Sequence, residues 1–251
     1  MTDAMQAEFD TVAEWTAQVA ADLGPEYHVP AGCRGSGSPS ALDWLIERME
    51  LRSGTMFLDS GAGIGGPVAY AARSRELRPV LLEPEAGACR AAQSLFGYPV
   101  IQGVGSKLPL AEASCDAAWS LGVLCTAADQ LGLLTELHRT VRRGGRIGLL
   151  AFVAHRDLPD DQLESNNFPA PDRLRQLLDE SGLHIEESLR TAELPPIPDE
   201  WTERLDVVTN ELTKRHGHTE AWQLAERQSS QIGQLLEDGT LTGELLVLRH
   251  A

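Results

Sequence analysis

The sequence predicts an α/β fold, a mostly parallel sheet with helices on both faces, and three observations carry that reading. From Met56 to Leu189 short apolar runs alternate with helical segments, the pattern of parallel strands joined by crossover helices. Phe57-Leu58-Asp59-Ser60-Gly61-Ala62-Gly63-Ile64-Gly65-Gly66 reads as a buried strand, a glycine turn and a helix start, with Pro67 in the first helical turn. Two strands, the first and the second, end in an acid, Asp59 and Glu83, the second of them where a sheet of this kind holds a ribose. A chain of 251 residues is long enough for one such domain with additions and a sizeable core. The expected division is a single domain, 1-251, with N-terminal helices and a lid loop in 1-51, a binding core in 52-195, a helical insertion in 196-240 and a last strand in 241-251.

Taken in order, Met5, Phe9, Val12, Val19 and Leu23 fall at helical spacing and predict an amphipathic helix over 3–23. Gly24 to Ser38 is rich in Gly, Pro and Ser and reads as a loop by composition. Ser38-Pro39 starts a helix to Leu51 with Leu42, Leu45, Ile46 and Met49 as its buried stripe. Strands are expected at Met56–Asp59, Pro79–Glu83, Tyr98–Gln102, within the Cys115–Leu124 stretch, at Arg146–Val153 and at Leu183–Leu189, with helices at Pro67–Ser74, Gly87–Phe96, Asp129–Arg143 and Asp172–Ser181. Gly144-Gly145 is the expected stop of the third of these helices. Trp201, Leu205, Val208 and Leu212, then Trp222, Ala225, Ile232 and Leu236, mark two amphipathic helices before a final apolar run from Gly243 to Leu248. With the N-terminal helix these two would roof a pocket or form a dimer contact, so the chain is read as a monomer or a homodimer.

The formal net charge is −16, which repels phosphate backbones and argues against a nucleic-acid partner. A small neutral or cationic substrate is expected instead. The stretch from Met1 to Phe9 is polar and acidic, and no apolar run approaches membrane length, so no membrane partner and a cytoplasmic location are expected. Cys33, Cys89, Cys115 and Cys125 are scattered without a C-x-x-C pair and read as free thiols, the last three as small core residues.

The glycine turn fits two chemistries. Gly61, Gly63 and Gly66 give the G-x-G-x-x-G of dinucleotide sites. Asp59 with Gly61, Gly63 and Gly65 gives D-x-G-x-G-x-G, which resembles motif I of the class I S-adenosylmethionine-dependent methyltransferases. Glu83 suits a ribose diol in either case. The stretch "GVGSKLPL" followed by Cys115-Asp116-Ala117-Ala118-Trp119-Ser120, and "ELHRTVRRGGRIGLLAF" after it, resemble later blocks of the small-molecule members of that methyltransferase family in the same order. The resemblance covers roughly Met56 to Val153. It implies a Rossmann-like seven-stranded sheet whose last strand is antiparallel, S-adenosyl-L-methionine as methyl donor and S-adenosyl-L-homocysteine as product. It also implies cofactor contacts from Asp59, Gly61, Gly63, Gly65, Glu83, Gly105 and Ser120. Where the family often has an Asp for the adenine amino group this chain has Val104, so adenine recognition falls to apolar contact and the Gly105 backbone.

Methyl transfer from a sulfonium is an in-line displacement in which positioning supplies most of the acceleration. A hydroxyl acceptor benefits from a base, and imidazole suits neutral pH. His155, just beyond the fifth strand, and His28 in the N-terminal segment are the catalytic candidates, with Asp157, Asp160, Asp161 and Glu164 as further carboxylates. The latter set would hold magnesium for a diol-like acceptor, although its spacing is no recognised ligand pattern. Arg34 is the candidate for the methionyl carboxylate, because guanidinium binds carboxylate in two-point fashion. There is no [DNS]-P-P-[YFW] after the fourth strand and no Pro-Cys nucleophile there. The expected activity is methylation of a small molecule, at oxygen, on a sugar or other polyhydroxylated metabolite. Alternatives are N- or C-methylation, an NAD(P)-dependent oxidoreductase, and a cofactor-binding protein without catalysis.

Overall fold

A computed structural model of the chain describes residues 8–158 and 166–251. The chain enters through a π-helical turn, Glu8–Val12, that runs into α1 (Ala13–Leu23), α2 (Pro25–Gly32) and α3 (Pro39–Arg48). Then β1 (Met56–Ser60), α4 (Gly66–Ser74), β2 (Arg78–Glu83), α5 (Ala86–Phe96), β3 (Val100–Gln102), β4 (Ala117–Leu121), α6 (Gln130–Thr140), β5 (Ile147–Ala154), α7 (Pro171–Glu180) and β6 (Leu183–Arg190) alternate. Two long helices, α8 (Asp199–His216) and α9 (Glu220–Glu237), precede β7 (Leu241–His250). The sheet order is β3-β2-β1-β4-β5-β7-β6. β7 runs antiparallel to both neighbours, and the other strands are mutually parallel. The strand order reverses between β1 and β4, so the loops leaving those two strands open a crevice at their carboxyl ends.

The strands are apolar on both faces because helices cover both. One face joins Leu42, Leu45, Phe57, Leu81, Trp119, Leu150 and Val247 under α3 and α4. The other joins Leu58, Leu82, Leu133, Leu137, Leu149 and Leu177 under α6 and α7. Phe57 meets Trp119 edge to face at 4.8 Å between centroids, and neither residue is exposed. A third cluster is built from the additions: Val12, Val19, Ala20 and Ala31 pack on Val208, Leu212, Trp222 and Ala225. Trp15 stacks on His216 at 3.9 Å, and Arg215 pairs with Asp22 at 2.6 Å, which fastens α1 to α8.

Four local expectations are corrected. Gly24–Ser38 is not a plain loop: Pro25 opens α2 at its first turn, where a missing N–H costs nothing. Val29, Pro30, Ala31 and Gly32 are then buried, so packing overrides a turn-like composition. The helix expected to stop at Gly144-Gly145 ends at Thr140, because Val141 turns extended and bridges Cys115. Cys89 is half-buried rather than a core residue, whereas Cys33, Cys115 and Cys125 are buried and all four thiols are free. The N-terminal helix expected over 3–23 is, among the described residues, a π-helical turn followed by Ala13–Leu23.

Candidate functional site

The glycine loop leaves β1 at the crevice. Gly61, Gly63 and Gly65 take φ of +81°, +53° and +87°, a conformation that glycine adopts without strain. Their packing divides their roles. A Cβ on Gly61 would stand 2.3 Å from Val123, and one on Gly65 would press on Leu81 and Phe96, whereas Gly63 has nothing within 4 Å of that position. Gly63 is the bare, open point of the loop. The loop's own N–H groups are engaged: Gly61 and Ala62 donate to the Leu82 carbonyl at 2.8 and 3.1 Å, Gly65 to Ala62, and Gly63 to Glu83 Oε2 at 2.8 Å.

Beneath the loop lie two buried acids. Glu83, 6% exposed, also accepts the Glu85 N–H on Oε1 at 3.1 Å. Burial pushes its carboxyl up to about 7 against the pull of those two backbone bonds. Asp59, 2% exposed, is likewise pushed up to about 7, by burial first and the Glu83 charge second. The indole of Trp119, its neighbour on β4, stands close enough to favour the charged form. Trp119 Nε1 and Asp59 Oδ2 are both buried and complete no hydrogen bond. Ser60 Oγ beside them is buried and also without a partner. Orphaned donors and acceptors under an open glycine are the arrangement expected where a polar ligand or water completes the bonding.

Across the crevice Gly105 sits where a Cβ would strike Leu133 at 2.4 Å and Ser60 Oγ at 3.0 Å, and Val104 is 53% exposed at the rim. Ser120 is fully buried, and its hydroxyl donates to the Ser60 carbonyl at 2.8 Å. It therefore ties β4 to β1. The loop after β3 is held from behind by residues to which the sequence reading gave no role. Glu136 accepts the Leu108 N–H at 2.7 Å, and Arg139 bonds Glu136 and donates to the Leu108 and Leu110 carbonyls. Their (i, i+3) spacing on an amphipathic helix was the available signal.

The N-terminal segment lies over the loop. A Cβ on Gly66 would be 2.1 Å from the Gly32 carbonyl carbon, and one on Gly122 would be 2.9 Å from the Gly35 carbonyl oxygen. The turn after α2 therefore spans from the start of α4 to the end of β4. Arg34 in that turn lies 5.3 Å over the Trp222 ring and 3.7 Å from Glu226, both on α9. Asp10 accepts the Gly87 N–H at the start of α5, a second point at which the N-terminal part reaches the ribose end of β2.

The two histidines sit on separate elements. His28 sits on α2 with its ring edge-on to Phe96 at 6.3 Å, and Phe96 lies behind Gly65. Burial and Arg73 hold His28 below its ordinary value, so it is neutral at pH 7. His155 is exposed, and its Nε2 shares a 2.8 Å hydrogen bond with Thr242 Oγ1 on β7. The strand alternation instead places Phe152 and Ala154 against Ile232, Leu235 and Leu236 of α9. Asp157 is exposed, and Asp160, Asp161 and Glu164 lie outside the described residues. Among the described residues no three His, Cys, Asp or Glu side chains come together to hold a metal, and no helix is long and apolar enough to cross a membrane.

A cavity of about 250 Å³ opens at the opposite, amino end of the sheet, lined by Glu50, Arg52, Asp116, Arg142 and Arg146. Its arginines already pair with Glu50, Asp116 and Glu186. It is remote from the glycine loop, which has the geometry of the site.

Comparison with known proteins agrees with the placement of that loop. The profile of the family described as "Methyltransferase domain" matches residues 58–149, from the last turns of β1 to β5. "Methyltransferase phqN" from Penicillium fellutanum is 26% identical over 131 residues, covering 49% of this chain and 39% of that protein. An "O-methyltransferase" from Pyrenophora dematioidea is 25% identical over 156 residues, covering 56% and 58%. The matched region thus spans about two fifths to three fifths of these curated relatives. Among solved structures, Haemonchus contortus phosphoethanolamine N-methyltransferase 2 in complex with S-adenosyl-L-methionine superposes with a TM-score of 0.65 at 15% identity, covering 86% of this chain and 53% of that one. That likeness is one of fold.

Proposed function

We propose that the chain, which is similar over residues 58–149 to the family described as "Methyltransferase domain", is a class I S-adenosylmethionine-dependent methyltransferase that transfers the methyl group of S-adenosyl-L-methionine to a small molecule, releasing S-adenosyl-L-homocysteine. The observation that carries the choice of cofactor is the state of the glycine loop. Four of its N–H groups are already engaged and two buried acids stand beneath it. A diphosphate needs free N–H donors in the loop, and their engagement disfavours NAD(P). A nucleoside joined to a cationic sulfonium and ammonium fits acids. In this reading Glu83 holds the ribose hydroxyls, Asp59 and the orphaned Ser60 hydroxyl anchor the amino-acid end directly or through water, and Gly61, Gly63 and Gly65 form the bare surface. Val104 and the Gly105 backbone flank the adenine, and Arg34 takes the methionyl carboxylate.

The acceptor atom is proposed to be a hydroxyl oxygen, supported by the name of one relative and by His155 at the carboxyl end of β5. Bound cofactor supplies the electrophilic methyl. The chain positions the acceptor in line with it and excludes water beneath α9. His155, oriented by Thr242, is the group proposed to receive the hydroxyl proton. Thermal shift with S-adenosylhomocysteine, NAD and NADP, followed by methyl-labelled cofactor with a panel of hydroxylated acceptors, tests the reading. Stabilisation by the first alone and labelled product are expected. Stabilisation by a dinucleotide instead would overturn the cofactor. His155→Ala is expected to lower turnover on the hydroxyl acceptor by about 100-fold with cofactor affinity retained, and undiminished turnover would remove it from the role.

A further inference from the structure

Helix α9 is fixed at its two ends and polar in the middle. At one end Trp222 and Ala225 are buried in the cluster with α1, α2 and α8, and at the other Leu235 is buried with Cys125, Phe168 and Leu241. Between them come Glu226, Arg227, Gln228, Ser229, Ser230 and Gln231, none of them buried, and a Cβ on Gly233 would meet nothing within 4 Å. An ionic link from that centre reaches Arg34, on the turn that rests on Gly66 and Gly122 beside the glycine loop. The link is of the exchangeable kind. Its N···O distance is 3.7 Å, its side chains are 27% and 44% exposed, and the guanidinium lies 5.3 Å from the Trp222 ring centroid.

We infer that Glu226 is a stand-in for the cofactor's carboxylate: Arg34 rests on Glu226 and Trp222 when no cofactor is present and moves to the methionyl carboxylate when cofactor binds. Cofactor binding then unfastens the N-terminal turn from α9 and leaves the Glu226 carboxylate without its guanidinium partner. Both anions lie within the compass of one side chain, because the Arg34 backbone is pinned between the glycine loop and the end of β4. Glu226 is thus a positioning residue that acts through Arg34. Trp222 keeps the guanidinium at the mouth by its ring face. The inference rests on the cofactor reading above and adds to it a competitor within the chain.

Two ligands separate the two ideas. S-adenosylhomocysteine carries the amino-acid carboxylate, and 5′-methylthioadenosine has the same nucleoside without it. By isothermal titration, Glu226→Gln is expected to tighten S-adenosylhomocysteine by about two- to fivefold, the size of a partly exposed ion pair removed from competition. The affinity for 5′-methylthioadenosine should stay unchanged. Arg34→Ala is expected to weaken S-adenosylhomocysteine by about tenfold or more, the loss of a charge-assisted pair, again sparing the shorter ligand. S-adenosylhomocysteine should also change the tryptophan emission of the wild type, a change absent from Trp222→Phe and not produced by 5′-methylthioadenosine. Equal effects of Glu226→Gln on both ligands, or weaker binding of S-adenosylhomocysteine, would overturn the exchange while leaving the cofactor reading standing. Failure of the wild type to bind either ligand would overturn the cofactor reading and the exchange with it.

Discussion

Glu83 is a carboxyl group whose surroundings disagree about its charge. Two backbone N–H groups, from Glu85 and Gly63, favour the anion, but burial outweighs them and the group is pushed up to about 7 from 4.5. With the folded value raised, the native state binds more protons than the unfolded chain between those two values. The stability this group contributes is therefore full below about 4.5 and declines as pH rises towards 7. A ribose diol reverses the preference, since its two hydroxyls donate to a carboxylate and gain nothing from a carboxylic acid. Affinity for S-adenosylhomocysteine should therefore rise several-fold from about pH 6 to pH 8. Glu83→Gln should weaken binding at the upper end and flatten the dependence, with the residual slope belonging to Asp59, whose carboxyl is pushed into the same range. A pH dependence of unchanged slope in Glu83→Gln would show that the ribose contact lies elsewhere. Asp59 and Glu83 were legible in the sequence because an acid at a strand end is a local feature. Trp119 and Ser60 were not, because their unpaired atoms matter only once β4 lies beside β1.

At the level of elements, the loop between β3 and β4 shows why matching a block of sequence is less than knowing its work. The segment "ELHR" carried the resemblance, yet its function is structural: Glu136 and Arg139 on α6 reach back to the Leu108 N–H and to the Leu108 and Leu110 carbonyls. Glu136 is held below the usual carboxylate range, first by its bond to Arg139, so the staple is complete at neutral pH and is lost as pH falls through that lowered value. Arg139→Ala removes both carbonyl contacts and leaves Glu136 without its partner. It should cost about 1–3 kcal/mol of stability, speed hydrogen exchange at Lys107 to Leu110, and weaken S-adenosylhomocysteine several-fold. Protection of those amides equal to wild type would show that the loop holds its shape alone. The core helices and strands were readable to within a few residues, because apolar periodicity alone places them. Helix α2 was not, since Gly, Pro and Ser at Gly24 to Ser38 suggest a turn and only burial of Val29 and Ala31 against distant helices makes it helical. The Arg34 to Glu226 contact joins the two ends of the chain and has no local signature at all.

Across the whole molecule, the last strand is the piece that closes the architecture. β7 lies between β5 and β6, pairing with Ile147–Ala154 on one side and along Leu183–Arg190 on the other, and Leu245, Leu246, Val247 and Leu248 are all buried. The two long helices before it carry much of the third apolar cluster, so the sheet is completed only after that cluster's helices in chain order. Without β7, β5 would expose its edge N–H and C=O groups, β6 would have no neighbour, and α9 would lose Leu241 from its carboxyl-end anchor. A chain ending after Gly239 should therefore show no cooperative thermal transition and should bind a hydrophobic dye. A milder version keeps every backbone bond: Leu246→Ala empties a site 1% exposed. That costs about 2–5 kcal/mol, which for a domain of this size lowers Tm by roughly 5–15 °C. Saturating S-adenosylhomocysteine should raise Tm of wild type and Leu246→Ala by similar amounts, since the ligand binds only the folded form and β7 does not touch it. Cooperative unfolding of the shortened chain, near the wild-type Tm, would mean that the six parallel strands fold as a unit without the antiparallel one.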